Sequence, residues 1–285
     1  MTTLCVATTT VTAQEQVIDE ETLEKRIAEI YPNYGSLEMF NANVRERVLE
    51  GGVSPEWVTV VLENQIRKYL PELAERLEKE RYRIGGLSDV CRDLGMRVTR
   101  PVIVLREFPG PDTLALIQEC TFSKDSIVFD YAVDTYVSIA GGDSVPFLRE
   151  LAARGGGGRS GRLSSNLRTF FSAYEKNNRT DDAAKLHAFL LELLQTGDDW
   201  GDVHSLDRVL CDTLDGYAKS VQRAQAIQRF SEKMQKTNNT DDQERHRKVQ
   251  ADVEKTPVKE RKDFRAKGEL LDPDRLKAMD ERKRE

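Results

Sequence analysis

Two stretches of the chain carry residue types that could do chemistry. The first is GGGGRSGR at 155–162, where Arg154, Arg159, Arg162 and Arg168 surround a run of glycines. Phe170, Phe171 and Tyr174 follow closely. Glycines let a backbone approach phosphates, arginines neutralise them, and aromatic rings stack on bases, so these four arginines form a candidate site for single-stranded RNA or DNA. The plainer alternative is a connector between two helical subdomains. Leu167, Phe170, Phe171 and Tyr174 recur at helical spacing and would make a core face by themselves. Gly156, Gly158 and Gly161 also match GxGxxG. That fingerprint needs a strand before its glycines, whereas the helix-forming VPFLRELAAR precedes them here.

The second stretch gathers Asp198, Asp199, Asp202, His204 and Asp207 around Trp200. Carboxylates with an imidazole could hold a divalent cation. The spacing fits neither DxDxDG nor HExxH, and a polar turn leading into a Ser205 cap accounts for the same residues. Arg97, Arg100 and Arg106 form a further basic cluster. His187 lies among apolar neighbours and His246 lies far down the chain, so neither a triad nor a zinc set emerges. No P-loop or GxSxG motif occurs. The expectation is a protein that is not an enzyme, with no catalytic residues, metal or cofactor.

The elements that must position these residues read as mainly α, a multi-helix body. Helices are expected from Glu15 to Tyr31 and from a Ser36 cap through Leu49. Another starts at Ser54-Pro55, with a kink or restart at Pro71. Leu87 to Leu94 reads as a short helix closed by Gly95. Residues 97–140 admit a small β insertion, because RVTRPVIVLREF and SIVFDYAVDTYVSI are rich in β-branched and aromatic residues; the second also tolerates helical spacing. Gly110-Pro111-Asp112 is a turn. Asp143 or Ser144 starts a helix through Arg154, Ser164 one to Lys176, and Thr180 one to Thr196. Ser205 begins a long helix to about Lys236.

The 285 residues carry a net charge of -6 with 39% hydrophobic residues and a mean hydropathy of -0.57. That charge argues against a generic polyanion binder, so any nucleic-acid surface would be a local patch. Cys5, Cys91, Cys120 and Cys211 are widely spaced and fit reduced thiols better than a disulfide framework. The Thr-rich start lacks the basic region of a secretory signal, and no apolar run approaches a membrane span, which points to a cytoplasmic chain without membrane contact. The expected organisation is a flexible arm at 1–13, a helical subdomain at 14–154, the Gly/Arg-rich connector at 155–162, a second helical subdomain at 163–230, and a charged tail at 231–285 that is disordered or transiently helical. The tail is more than half charged in mixed sign, and Phe264 is its one aromatic after Phe230. Such a segment buries too little apolar surface to offset its ordering entropy. Asp272-Pro273-Asp274 could start a short docking helix carrying Leu276 and Met279, and KERKDFRAK could touch a polyanion. Together these features suggest a non-enzymatic scaffold or assembly protein that acts through helix-face docking and an ordering tail. Its partner would be a protein or a second copy, making a homo-oligomer. The alternative is a coat- or nucleoprotein-like binder of single-stranded RNA.

Overall fold

A computed structural model describes residues 18–32, 43–80, 87–154, 163, 167–168, 170–171, 174, 178–196 and 200–235. The expected arm at 1–13, the connector at 155–162 with Arg159 and Arg162, and nearly all of the tail lie outside the described residues. The chain divides into two compact units, one up to Thr113 and one from Leu114.

In the first unit, α1 (Glu20–Ile30) begins where the Asp19 carboxylate accepts the Thr22 N–H at 2.8 Å. It buries Leu23, Ile27 and Ile30. The short α2 (Val44–Val48) ends before Gly51 and Gly52, both at positive φ. Helix α3 (Pro55–Lys79) starts as its sequence dictates, with Pro55 in the first turn and Ser54 Oγ accepting the Trp57 N–H. Pro71 does not restart it: Pro71 and Arg67 both face water, which can solvate the carbonyl the proline leaves unpaired. Helix α4 (Asp89–Val104) is capped by Ser88 and runs straight through Gly95. Its buried stripe of Cys91, Leu94, Val98 and Val102 continues past the glycine and packs on α3. A helical glycine costs only about 1 kcal/mol against alanine.

The Glu80 carboxylate joins these two helices. It accepts from Ser88 Oγ at 2.6 Å, from the Ser88 N–H at 3.1 Å and from Arg76 Nε at 2.8 Å. The Ser88 hydroxyl bond is the main cause that holds its carboxyl down to about 2. At the unit's other end, the Gly110 N–H donates to Thr113 Oγ1, whose hydroxyl donates to Glu63 at 2.7 Å.

The second unit comprises α5 (Thr113–Cys120, which starts at the boundary), α6 (Ser126–Ala140), a 3-10 turn (Gly141–Ser144), α7 (Val145–Ala153), α8 (Thr180–Thr196), α9 (Trp200–Thr213), a short 3-10 turn (Tyr217–Lys219) and α10 (Val221–Gln235). Between α7 and α8, Leu163, Leu167, Phe170, Phe171 and Tyr174 are helical and buried. No strand occurs among the described residues, so the small β insertion considered for 97–140 is replaced by α4, α5 and α6. Its β-branched residues are there for burial rather than for a pleat. Val128 and Ala132, like Val133 and Val137, are buried four residues apart, which is a helix interval and not the two-residue alternation of a half-buried strand.

The long helix expected from Ser205 is also corrected. The chain breaks at Gly216, which takes φ +74° in the left-handed region, and restarts as α10. The break lets Tyr217 turn inward, where its hydroxyl donates to Asp207. The boundary between the compact units falls well before the glycine run. Helix α8 packs on α7 and on the 141–144 turn, so the chain on both sides of 155–162 builds one core.

Candidate functional site

The second unit carries an open cleft of about 440 Å3 between α8 and the end of α9. Helix α8 supplies one wall through Thr180, Ala184, His187, Ala188 and Leu191, positions three and four apart and therefore on one face. Ala184 and Ala188 are exposed although apolar. Phe171 closes one side, and Asp212, Thr213, Leu214 and Asp215 form the opposite edge.

His187 is the most constrained polar group in the cleft. Its ring stacks on Phe171 at 4.0 Å between centroids and 4° between planes. Its Nε2 lies 3.0 Å from Thr213 Oγ1. The Thr213 hydroxyl donates to the Val209 carbonyl at 2.8 Å, so its oxygen is left to accept from the imidazole. Arg168 of the connector side forms an ion pair with Asp212 at this edge. The cleft therefore offers apolar walls, one imidazole and two carboxylates. No Lys or Arg lies among the described residues that line it.

Of the four arginines singled out for nucleic acid, Arg154 and Arg168 are described, and each has an acidic partner. Arg168 is committed to Asp212, and Arg154 pairs with Glu150 on its own helix. Phe170, Phe171 and Tyr174 belong to the core, each 2–4% exposed, as the connector alternative requires. The Tyr174 hydroxyl donates to the Val137 carbonyl at 3.0 Å, and burial pushes it up to about 12. An aromatic that the sequence left unremarked is exposed instead. Phe122 follows α5 with 60% of its surface open, and the Arg154 guanidinium lies 4.6 Å from its ring centre. In the first unit, Arg97 bonds Asp93 and Tyr69, Arg100 donates to the Tyr31 carbonyl, and Arg106 bonds Glu107.

The acidic cluster around Trp200 does not converge as far as it can be followed. Asp198 and Asp199 lie outside the described residues. Asp207 turns into the core, where Arg223 Nε donates to Oδ1 at 2.9 Å and a terminal Arg223 nitrogen to Oδ2 at 3.1 Å. Among the described residues no group of His, Cys, Asp or Glu is placed to hold a metal ion. Burial pushes the Cys120 and Cys211 thiols up to about 12, which leaves both protonated at neutral pH.

The sequence marks His187 only as a histidine among apolar neighbours, and the exposed alanines go unremarked because helix α8 is densely apolar. The available signal was its small residues four apart, Ala184 and Ala188, on the face opposite Leu186, Phe189 and Leu190. No family model, curated protein or solved structure matches the chain. No helix among the described residues is long and apolar enough to cross a membrane.

Proposed function

We propose that the chain is a non-enzymatic assembly protein that docks protein segments, those of a second copy foremost, on the α8–α9 face. The observation that carries this is the cleft wall: an apolar stripe of Ala184, Ala188 and Leu191 beside a 440 Å3 recess. Small residues let a partner's backbone approach closely, and the recess can take one large apolar side chain. Most soluble oligomers are closed symmetric assemblies of identical chains, which makes a second copy the first partner to test. Light scattering on the full chain over a concentration series is the test. The expected mass climbs above the monomer's 32.4 kDa, and Ala188→Arg holds it there. A wild-type chain that stays monomeric throughout sinks the proposal.

A second reading, binding of single-stranded RNA, is favoured by one observation. The exposed Phe122 carries Arg154 over its ring, and it is Arg154 that stands just ahead of Arg159 and Arg162 in the sequence. An open aromatic face beside cations suits base stacking and phosphate contact. Fluorescence anisotropy with single-stranded RNA should then give binding that falls steeply with salt, and Phe122→Ala should weaken it about tenfold, within the 1–3 kcal/mol of a stacked base. Failure to bind at low salt removes this reading.

A further inference from the structure

We infer that the α8–α9 cleft is covered by the chain's own tail, with Phe264 seated in the recess. This rests on the docking role proposed above and adds how that role is regulated.

Three observations converge on this occupant. The first is where the described chain ends. Helix α10 runs to Gln235, and within it Arg229 donates to the Leu194 carbonyl at 2.5 Å near the end of α8. Gln235 lies six residues beyond Arg229, about 9 Å at the helical rise. The chain thus leaves the folded unit close to the helix that walls the cleft, and Leu191 of that wall is less than one turn from Leu194.

The second is reach. Residues 236–263 separate α10 from Phe264. A random coil of that length spans about 30 Å on average, the scale of a small domain. A tethered segment of that length is present at a millimolar effective concentration, well above a second copy at ordinary protein concentrations. The tail of the same molecule is therefore the favoured occupant.

The third is chemistry. Phe264 is the single aromatic of the segment after α10. Lys259, Arg261, Lys262, Arg265 and Lys267 surround it, against Glu260 and Asp263 alone. The cleft presents apolar walls, with Asp215 and the Arg168-paired Asp212 at its edge. A phenyl ring buries a large apolar area in such a recess while flanking cations meet carboxylates at its mouth. A closed tail would withhold the docking face, and a second copy or partner would have to displace it.

The test uses the full chain with p-benzoylphenylalanine in place of Phe264. Irradiated in dilute solution, it should crosslink within one molecule, to α8 between Thr180 and Leu191 or to Thr213–Asp215. Ala188→Arg should abolish that product. Crosslinks spread over the surface, confined to other helices, or formed only between copies overturn the inference. Independently, Phe264→Ala should lower the protein concentration at which mass begins to rise by about tenfold, the factor expected when about one molecule in ten is open. An unchanged concentration dependence, where the mass does rise, counts against the tail. A mass that never rises sinks the assembly role, while the crosslink still decides whether the tail occupies the cleft.

Discussion

Replacing Asp207 with alanine is expected to destabilise the second unit by about 3 kcal/mol. Asp207 is 7% exposed and binds Arg223 through both carboxylate oxygens, while Oδ1 also accepts the Tyr217 hydroxyl at 3.1 Å. The three residues come from α9, the short 3-10 turn and α10, so this one carboxylate ties together everything after the Gly216 break. Removing it strands a guanidinium whose side chain is 18% exposed, together with a phenol at a buried position. Burial first, and Asp207 second, already press the Tyr217 hydroxyl well above the ordinary phenol value. The cost comes from uncompensated polar groups rather than from lost attraction, which gives an internal control. Asp207→Leu combined with Arg223→Met and Tyr217→Phe should recover most of the loss, because well-packed apolar side chains can replace a buried ion pair and its hydrogen-bonded phenol at little cost. Urea unfolding followed by circular dichroism measures both. An alanine variant within 1 kcal/mol of wild type would show that the network does not hold the turn.

The same network marks what the sequence could and could not convey. Helix existence was legible wherever caps and apolar stripes agreed: Ser54-Pro55 opens α3, Thr180 with two aspartates opens α8, and Leu186, Phe189, Leu190 and Leu194 are buried together. Breaks were less legible, because they depend on partners far along the chain. Gly95 and Pro71 look like stops, yet α4 and α3 pass through them where packing and solvent tolerate it. Gly216 looks unremarkable beside Leu210, Leu214 and Tyr217, yet the inward bond from Tyr217 to Asp207 makes it the real stop. Residues 97–140 misled for a related reason. Valine and isoleucine signal burial as readily as strand, and composition does not say which. The cleft lay hidden in a helix whose apolar content suggested core throughout. Its wall appears only when Phe171, a connector-side residue, is placed against His187. The aspartates near Trp200 were visible as a group, but nothing local revealed that Asp207 would be claimed by an arginine sixteen residues later.

Gly141→Ala is the second change with a large expected effect, a loss of about 3 kcal/mol. Gly141 ends α6 at φ +60° and ψ -137°, a backbone region reserved for glycine, where a side chain alone costs 1–3 kcal/mol. A methyl group there would also strike Arg179 and come within 2.8 Å of Asp182 Oδ1. Those two groups form the clasp that seats α8. Asp182 accepts the Gly142 N–H at 2.6 Å through one oxygen and Arg179 Nε at 2.6 Å through the other, while Lys185 reaches Asp143 at 2.7 Å. The Arg179 guanidinium also covers the Tyr174 ring at 4.6 Å. Arg179 could swing aside, but only by releasing Asp182 and uncovering that ring. Gly216→Ala separates the two contributions. Gly216 also sits at positive φ, yet nothing lies within 4 Å of its added methyl, so it should lose only the backbone share of about 1 kcal/mol. If thermal unfolding shows equal losses for the two variants, the clasp contributes nothing beyond backbone strain. A larger loss at Gly141 has a functional consequence. The clasp fixes the first turn of α8, and the following turns carry Ala184, His187 and Ala188. Loosening it displaces the cleft wall, so Gly141→Ala should lower the yield of the Phe264 crosslink even at temperatures where the chain remains folded, whereas Gly216→Ala should leave that yield close to wild type.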